Sequence, residues 1–140
     1  MILTIEIPGQ PVPYKRVQGS GAHRYTDPKS KAYMTSVRLR CMQAVAKGKR
    51  AGGAWSRDVT YGCWLVVVNA DERHRDVDNV AKAFLDGATG VLWADDSSVH
   101  DLRVVRAPSD SGAPRLVALV RMLAAGEALH EAWSLMEARP

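Results

Sequence analysis

The tightest constraint on what this chain can fold into lies in its middle. Val59 to Asn69 is rich in Val, Trp, Tyr and Cys and shows no polar alternation, the composition of a well-buried strand. After a charged run, Asp71 to Asp76, the residues Val77, Val80, Ala81, Phe84 and Leu85 fall at i, i+3, i+4, i+7 and i+8. That spacing is the apolar stripe of an amphipathic helix, stopped by Gly87 or Gly90. A buried strand followed by such a helix needs a second layer to cover it, so both elements belong to one packed core.

The flanking segments extend this unit in both directions. Ile2 to Ile7 reads as a short strand, and Pro8-Gly9-Gln10-Pro11-Val12-Pro13 must be an extended loop, because proline lacks the backbone donor and restricts the residue before it. Tyr14 to Lys29 is polar, basic and glycine-containing, which reads as a mobile connection. Lys31 to Lys47 has helical spacing, ended by the glycine-rich turn Gly48 to Gly53. Val91 to Ala94 is a short apolar piece; Ser98 to Arg106 and Arg115 to Met122 read as strands joined by a turn-like segment, a hairpin. Leu129, Ala132, Trp133 and Met136 mark a last amphipathic helix. The order β, α, β, α, β, β, α predicts an α+β fold, a mixed sheet with helices on one face.

Composition narrows the class. At 140 residues, 46% hydrophobic, 24% charged and with a mean hydropathy of -0.18, the chain is expected to form one domain over 1–140 with a real core. The longest uncharged apolar run, Tyr61 to Val68, is far too short to span a bilayer, and Met1 to Ile7 lacks the pattern of a signal peptide, so no membrane association is expected. Cys41 and Cys63 have apolar neighbours and no CxxC spacing, which fits buried reduced thiols in a cytoplasmic protein. Net charge is only +4, but residues 15–50 carry ten Lys or Arg against Asp27 alone. Such asymmetry favours a phosphate-rich partner over a merely solvated face.

Chemistry concentrates in Arg73-His74-Arg75-Asp76-Val77-Asp78-Asn79, where an extended chain turns into a helix. Asp76 and Asp78, two apart at such a junction, can converge on one point, and hard divalent cations prefer oxygen ligands of this kind. The plainer alternative is that either carboxylate only caps the helix. Lys82, four residues beyond Asp78, shares its helix face and can reach what Asp78 binds, or can form an ordinary surface ion pair. Asp95 and Asp96 add a second carboxylate pair on a tight turn before a strand. Together with one lysine in a basic chain, these carboxylates fit metal-assisted phosphodiester hydrolysis. His74 sits in the charged run and could face nucleic acid, whereas His23, His100 and His130 have no metal-ligand spacing. No P-loop, dinucleotide-binding, nucleophile-elbow or HExxH string occurs, so no nucleotide cofactor is expected. Trp55, Trp64, Trp93 and Trp133 are read as core anchors rather than base-stacking platforms.

The string Arg75-Asp76-Val77-Asp78-Asn79-Val80-Ala81-Lys82, followed by Trp93-Ala94-Asp95-Asp96 and the strand-like Val99 to Val105, resembles the RusA family of Holliday junction endonucleases. The proline-rich loop after the first strand is similar as well. The resemblance is strong over residues 73–106, weaker over 1–16 and undetected over 17–56. It implies a RusA-like, homodimeric, Mg²⁺-dependent (or Mn²⁺-dependent) DNA endonuclease, typical of bacteriophages and prophages and active in DNA recombination and repair, that cuts four-way junctions by paired incisions. Asp76, Asp78 and Asp96 match the catalytic metal-binding carboxylates, Lys82 the catalytic lysine, and Asp95 a neighbouring acidic position that is counted with them as a candidate metal ligand. Residues 123–140, a C-terminal helical extension, depart from the family pattern.

A junction with approximate two-fold symmetry needs two symmetric cuts, which one carboxylate cluster per chain supplies through an isologous dimer. DNA would be positioned through phosphates by Lys15, Arg16, Arg24, Arg73 and Arg75. Two other readings stand beside the junction resolvase: a nuclease of wider branched-DNA selectivity on the same fold, and a non-catalytic DNA-binding module whose carboxylates are only caps and turns.

Overall fold

The structure, a computed structural model of the chain, describes residues 1–15, 19–73, 75–108 and 110–137. Four strands, β1 (Ile2–Pro8), β2 (Thr60–Val68), β3 (Val99–Arg106) and β4 (Arg115–Leu123), form one sheet in the order β1-β4-β2-β3. Among the described residues three α-helices accompany it: α1 (Pro28–Arg50), α2 (Val77–Ala88) and α3 (Glu127–Glu137). β4 runs antiparallel to both β1 and β2, while β2 and β3 are parallel and joined by α2. The sheet is therefore mixed and the fold α+β, as the element order predicts.

The expected hairpin between β3 and β4 does not form. β2 lies between them, with both of its edges paired. The physical reason is apolarity: Cys63, Leu65, Val67 and Val68 are buried, and the inner position removes the backbone of this strand from solvent as well. β1, at one edge, alternates buried and exposed residues throughout. Its buried set Leu3, Ile5 and Ile7 joins Cys63, Leu65 and Val67 of β2 and Leu116, Ala118 and Val120 of β4 on one face, where α1 and α2 pack.

α1 is longer than its apolar spacing suggests. Asp27 caps it by accepting a 3.1 Å hydrogen bond from Ser30 N, with Pro28 pre-set at the first helical position. Gly48 does not stop it; the helix runs on to Arg50. Two helices cross closely at Gly87, which lies inside α2. A Cβ there would stand 2.8 Å from Val37 Cβ and 3.0 Å from the Met34 carbonyl oxygen. Gly87→Ala is accordingly expected to destabilise the fold by about 1–3 kcal/mol through overpacking, against the gain of about 1 kcal/mol that alanine brings to an open helix position. Urea unfolding checks this: a lower midpoint is expected, and a higher one would mean that α1 and α2 are not in this contact.

α3 corrects the expectation that the helices share one face. Arg103 and Arg121 lie on the sheet face opposite α1 and α2, and there they hold Glu131 and Glu127 of α3. α3 buries none of its own residues; Leu129, Trp133, Leu135 and Met136 are all exposed. The tryptophans divide likewise. Trp93 is fully buried and Trp55 partly so, but Trp64 and Trp133 are exposed, so the core-anchor reading fails for these two. Cys41 and Cys63 are free, buried thiols, each pushed up to about 12 by burial. No helix among the described residues is long and apolar enough to cross a membrane.

Candidate active site

The site is built on the two ends of one rigid connection. The end of β2 is held by Gln10, whose side chain donates to Asn69 Oδ1 at 2.8 Å and accepts from Ala70 N at 2.7 Å. From there the chain turns into α2, with Asp76 at its N-cap position and Asp78 in its first turn. Tyr14 N donates to the Asn79 carbonyl at 2.9 Å, docking the proline-rich segment against the same turn. The apolar stripe of α2 is buried through Val80, Ala81 and Phe84, which orients the opposite face, including Asp78 and Lys82, to solvent.

Asp95 and Asp96 are placed by Trp93. Its ring is fully buried, 6.5 Å from Phe84 of α2 and 5.6 Å from Tyr61 of β2, and its indole N–H donates to the Leu85 carbonyl at 3.4 Å. The short apolar piece before the acidic pair is thus the anchor that fixes the turn against α2. A 3-10 turn, Asp96–Ser98, then leads into β3.

This arrangement brings Asp78, Lys82 and Asp96 to the rim of one open pocket of about 260 Å³, with Val77, Leu102 and Val104 among its apolar lining. Asp78 and Asp96, eighteen residues apart, reach it from two different elements. Asp76 does not line it. Its carboxylate makes no capping hydrogen bond and instead accepts from the Asn79 side chain at 3.4 Å, so helix capping does not account for it. Asp95 behaves as turn chemistry predicts: its carboxylate accepts from the Ser97 hydroxyl and from Ser97 N at 3.2 Å, and these bonds hold its pKa below the usual carboxylate range. Among the described residues no three His, Cys, Asp or Glu side chains stand together as a metal-holding group. The donor set nevertheless suits Mg²⁺, which takes one or two carboxylates and keeps several waters. Asp78 and Asp96 are the two carboxylates on this pocket, and Asp76 is two residues before Asp78 in the chain.

Lys82 Nζ lies 3.2 Å from Asp86 Oδ2, one helical turn on, and 5.1 Å from the centre of the Tyr14 ring. Both partners are additions to the sequence reading. The i, i+4 spacing of Lys82 and Asp86 carried the first; nothing in the polar segment that begins at Tyr14 marked that ring.

The expected DNA contacts separate into used and available charges. Arg75 donates to Asp71 at 2.7 Å and Arg73 lies 3.8 Å from the same carboxylate. The hydrogen bond from Arg75 holds Asp71 below the usual carboxylate range. Lys15 Nζ, 4.0 Å from Asp27, and Arg24 are exposed. Arg16 and His74 lie outside the described residues.

Comparison with known proteins bears on what this pocket does. No match is found among curated proteins. A family model described as endodeoxyribonuclease RusA matches residues 8–121, a span that takes in the first loop, α1, β2, α2, the acidic turn and β3, and ends within β4. With most of its length in that match, and its acidic helix start and acidic turn meeting at one pocket, the chain belongs to the RusA endodeoxyribonuclease family and is a Holliday junction resolvase by that membership.

Proposed function

We propose that the chain cuts four-way DNA junctions by paired, symmetric, Mg²⁺-dependent phosphodiester hydrolysis, as a homodimer whose cutting centre is the pocket rimmed by Asp78, Lys82 and Asp96. The single observation that carries this reading is the convergence of two carboxylates and a lysine, from α2 and from the turn before β3, on one open pocket. Asp78 and Asp96, with Asp76 beside them, would hold the metal, which when bound polarises the scissile phosphate and acidifies water. Asp95 is a neighbour whose part is to shape the turn through Ser97.

The chain's own residues perform the rest. Lys82 sits one turn from Asp78, and its ammonium can leave Asp86 for a phosphate oxygen where negative charge builds. Val77, Leu102 and Val104 give the pocket its apolar lining. Lys15 and Arg24, and Arg16 with them, hold flanking phosphates; Arg73 and Arg75 add less, because Asp71 already engages them.

Support for the dimer comes from the sheet face opposite α1 and α2. Trp64, Val66 and Val105 are exposed there, on the face where Arg103 and Arg121 hold α3, and a second copy of the chain related by a two-fold axis would cover them. The junction itself, with approximate two-fold symmetry, asks for two centres so related.

Cleavage of four-way, three-way and linear duplex DNA, each with and without Mg²⁺, tests the reading, alongside light scattering of the purified chain. Expected are symmetric nicks in the four-way junction alone, loss of all cutting without the metal, and a solution mass twice 15.3 kDa. Equal cutting of all three DNAs would replace junction selectivity with a wider branched-DNA or general nuclease, and binding without any cutting would make the chain a DNA-binding module.

A further inference from the structure

The basic segment does more than surround the pocket. α1 carries seven Lys or Arg and no carboxylate in its 23 residues, a helix about 34 Å long. Where its last turns meet the loop after α2 there is an open groove of about 440 Å³. Arg38, Lys49 and Arg57 rim it, and Met42, Trp55 and Val91 contribute to its apolar lining. It lies beyond the C-terminal end of α2, whereas Asp78 lies in the first turn. The helix between them has 12 residues, so about 18 Å, the length of that helix, separates the groove from Asp78.

Three features make this a built surface. Arg38 donates to the Thr89 carbonyl at 3.2 Å and Arg57 to the Gly90 carbonyl at 3.1 Å, so both guanidiniums are held in place by neutral acceptors. A guanidinium has five donors, and these bonds leave most of them free. None of the three cations enters an ion pair among the described residues, so their charge is not neutralised by the fold. Trp55, finally, is a rigid element of the lining: its indole N–H donates to the Leu92 carbonyl at 2.9 Å and its ring stacks on Tyr61 at 5.6 Å.

We propose that this groove binds single-stranded DNA, phosphates on Arg38, Lys49 and Arg57 and an unpaired base over the apolar lining. A cationic rim around an apolar, aromatic-containing lining is the arrangement that single strands use, since an unpaired nucleotide exposes an anionic backbone and an apolar ring together. A paired duplex hides its ring faces and would leave the lining unused. The inference rests on the DNA-cutting reading for its ligand, and gives the chain a second contact remote from the scissile phosphate, suited to unpaired nucleotides on branched DNA.

Fluorescence anisotropy with a labelled oligothymidylate tests it over a salt series, comparing the parent with the Lys49→Ala, Arg57→Ala double variant. The double variant is expected to bind about tenfold more weakly, and its log-log salt slope to fall by about 1.4, about 0.7 for each lost single-strand phosphate contact. An abasic oligonucleotide of equal length is expected to bind the parent about tenfold more weakly than oligothymidylate, which reads the base seat alone. Lys49→Ala with Arg57→Lys recovers about half of the lost slope if charge matters rather than the Gly90 bond. Unchanged slope and affinity in the double variant would overturn the proposal, as would equal binding of abasic and thymidine strands or a loss confined to duplex DNA. A parent that cuts junctions while the variants bind as it does overturns the groove alone; a parent that binds strands through the groove but cuts nothing overturns the cutting reading alone.

Discussion

Asp96→Asn is expected to reduce single-turnover cutting of a four-way junction by about a thousandfold or more while junction binding survives. Asp96 and Asp78 face the same pocket from different elements, and removing a carboxylate from the proposed Mg²⁺ site would lose several kcal/mol of charge stabilisation at the phosphate. The basic surface is untouched, and the loss of one negative charge beside DNA favours binding. Asp78→Asn should behave alike. Asp95→Asn gives the contrast: its carboxylate is engaged by Ser97, so its replacement should disturb the turn and cost far less activity. Quantified cutting at saturating enzyme, with affinity measured separately in Ca²⁺, decides this. Equal loss of binding and cutting in a folded Asp96→Asn protein would contradict separate metal and phosphate roles.

Lys82→Ala is expected to slow the chemical step by about two to three orders of magnitude with junction affinity little changed, as removal of a preorganised donor does. Lys82→Arg should rescue only in part, because the guanidinium is planar and its charge diffuse. The competing account makes Lys82 the partner of Asp86, 3.2 Å away, and nothing more. An exposed i, i+4 pair contributes only about 0.3–0.5 kcal/mol, so in that account Lys82→Ala and Asp86→Asn would be equally mild. Asp86→Asn is therefore the control: it should leave cutting within a few-fold of the parent, and a Lys82→Ala protein that matches it would reduce the lysine to a surface ion pair.

The parts of the fold that were legible in the sequence are those where one local signal had one physical cause. The stripe Val77, Val80, Ala81, Phe84 and Leu85 has helical period because a single helix face is buried, and α2 begins where the stripe does. β2 lacked alternation because neither face is polar and both edges are paired. Strand partnership was not legible in the same way. β3 and β4 follow each other along the chain, but adjacency is settled by the competition of all strands for the inner positions, which β4 and β2 win through burial. The helix ends of α1 depended on the Asp27 cap and on the closing turn in which Ala51 N donates to the Lys47 carbonyl, contacts that spacing alone does not carry.

The same division runs through the site. Asp78, Lys82 and Asp96 could be named because acidic pairs at a helix start and at a turn are rare enough together to mean something. That Trp93 is what joins them required the packing of Tyr61, Phe84 and Trp93 to be seen. Asp95 and Asp96 look identical in sequence; Ser97 tells them apart by engaging one of them. For the arginines, Asp71 decides which charges remain available, through two ion pairs that string order did not announce.

The central claim, that the cutting centre is the pocket between the start of α2 and the turn before β3, is tested most directly by paramagnetic broadening. Mn²⁺ added below one equivalent to the isotope-labelled protein, without DNA, should first erase the amide signals of residues 76–82 and 95–98, and leave those of α1 and α3 sharp. Signals lost first around Glu127 and Glu131, around Asp71, or evenly along the chain would contradict it.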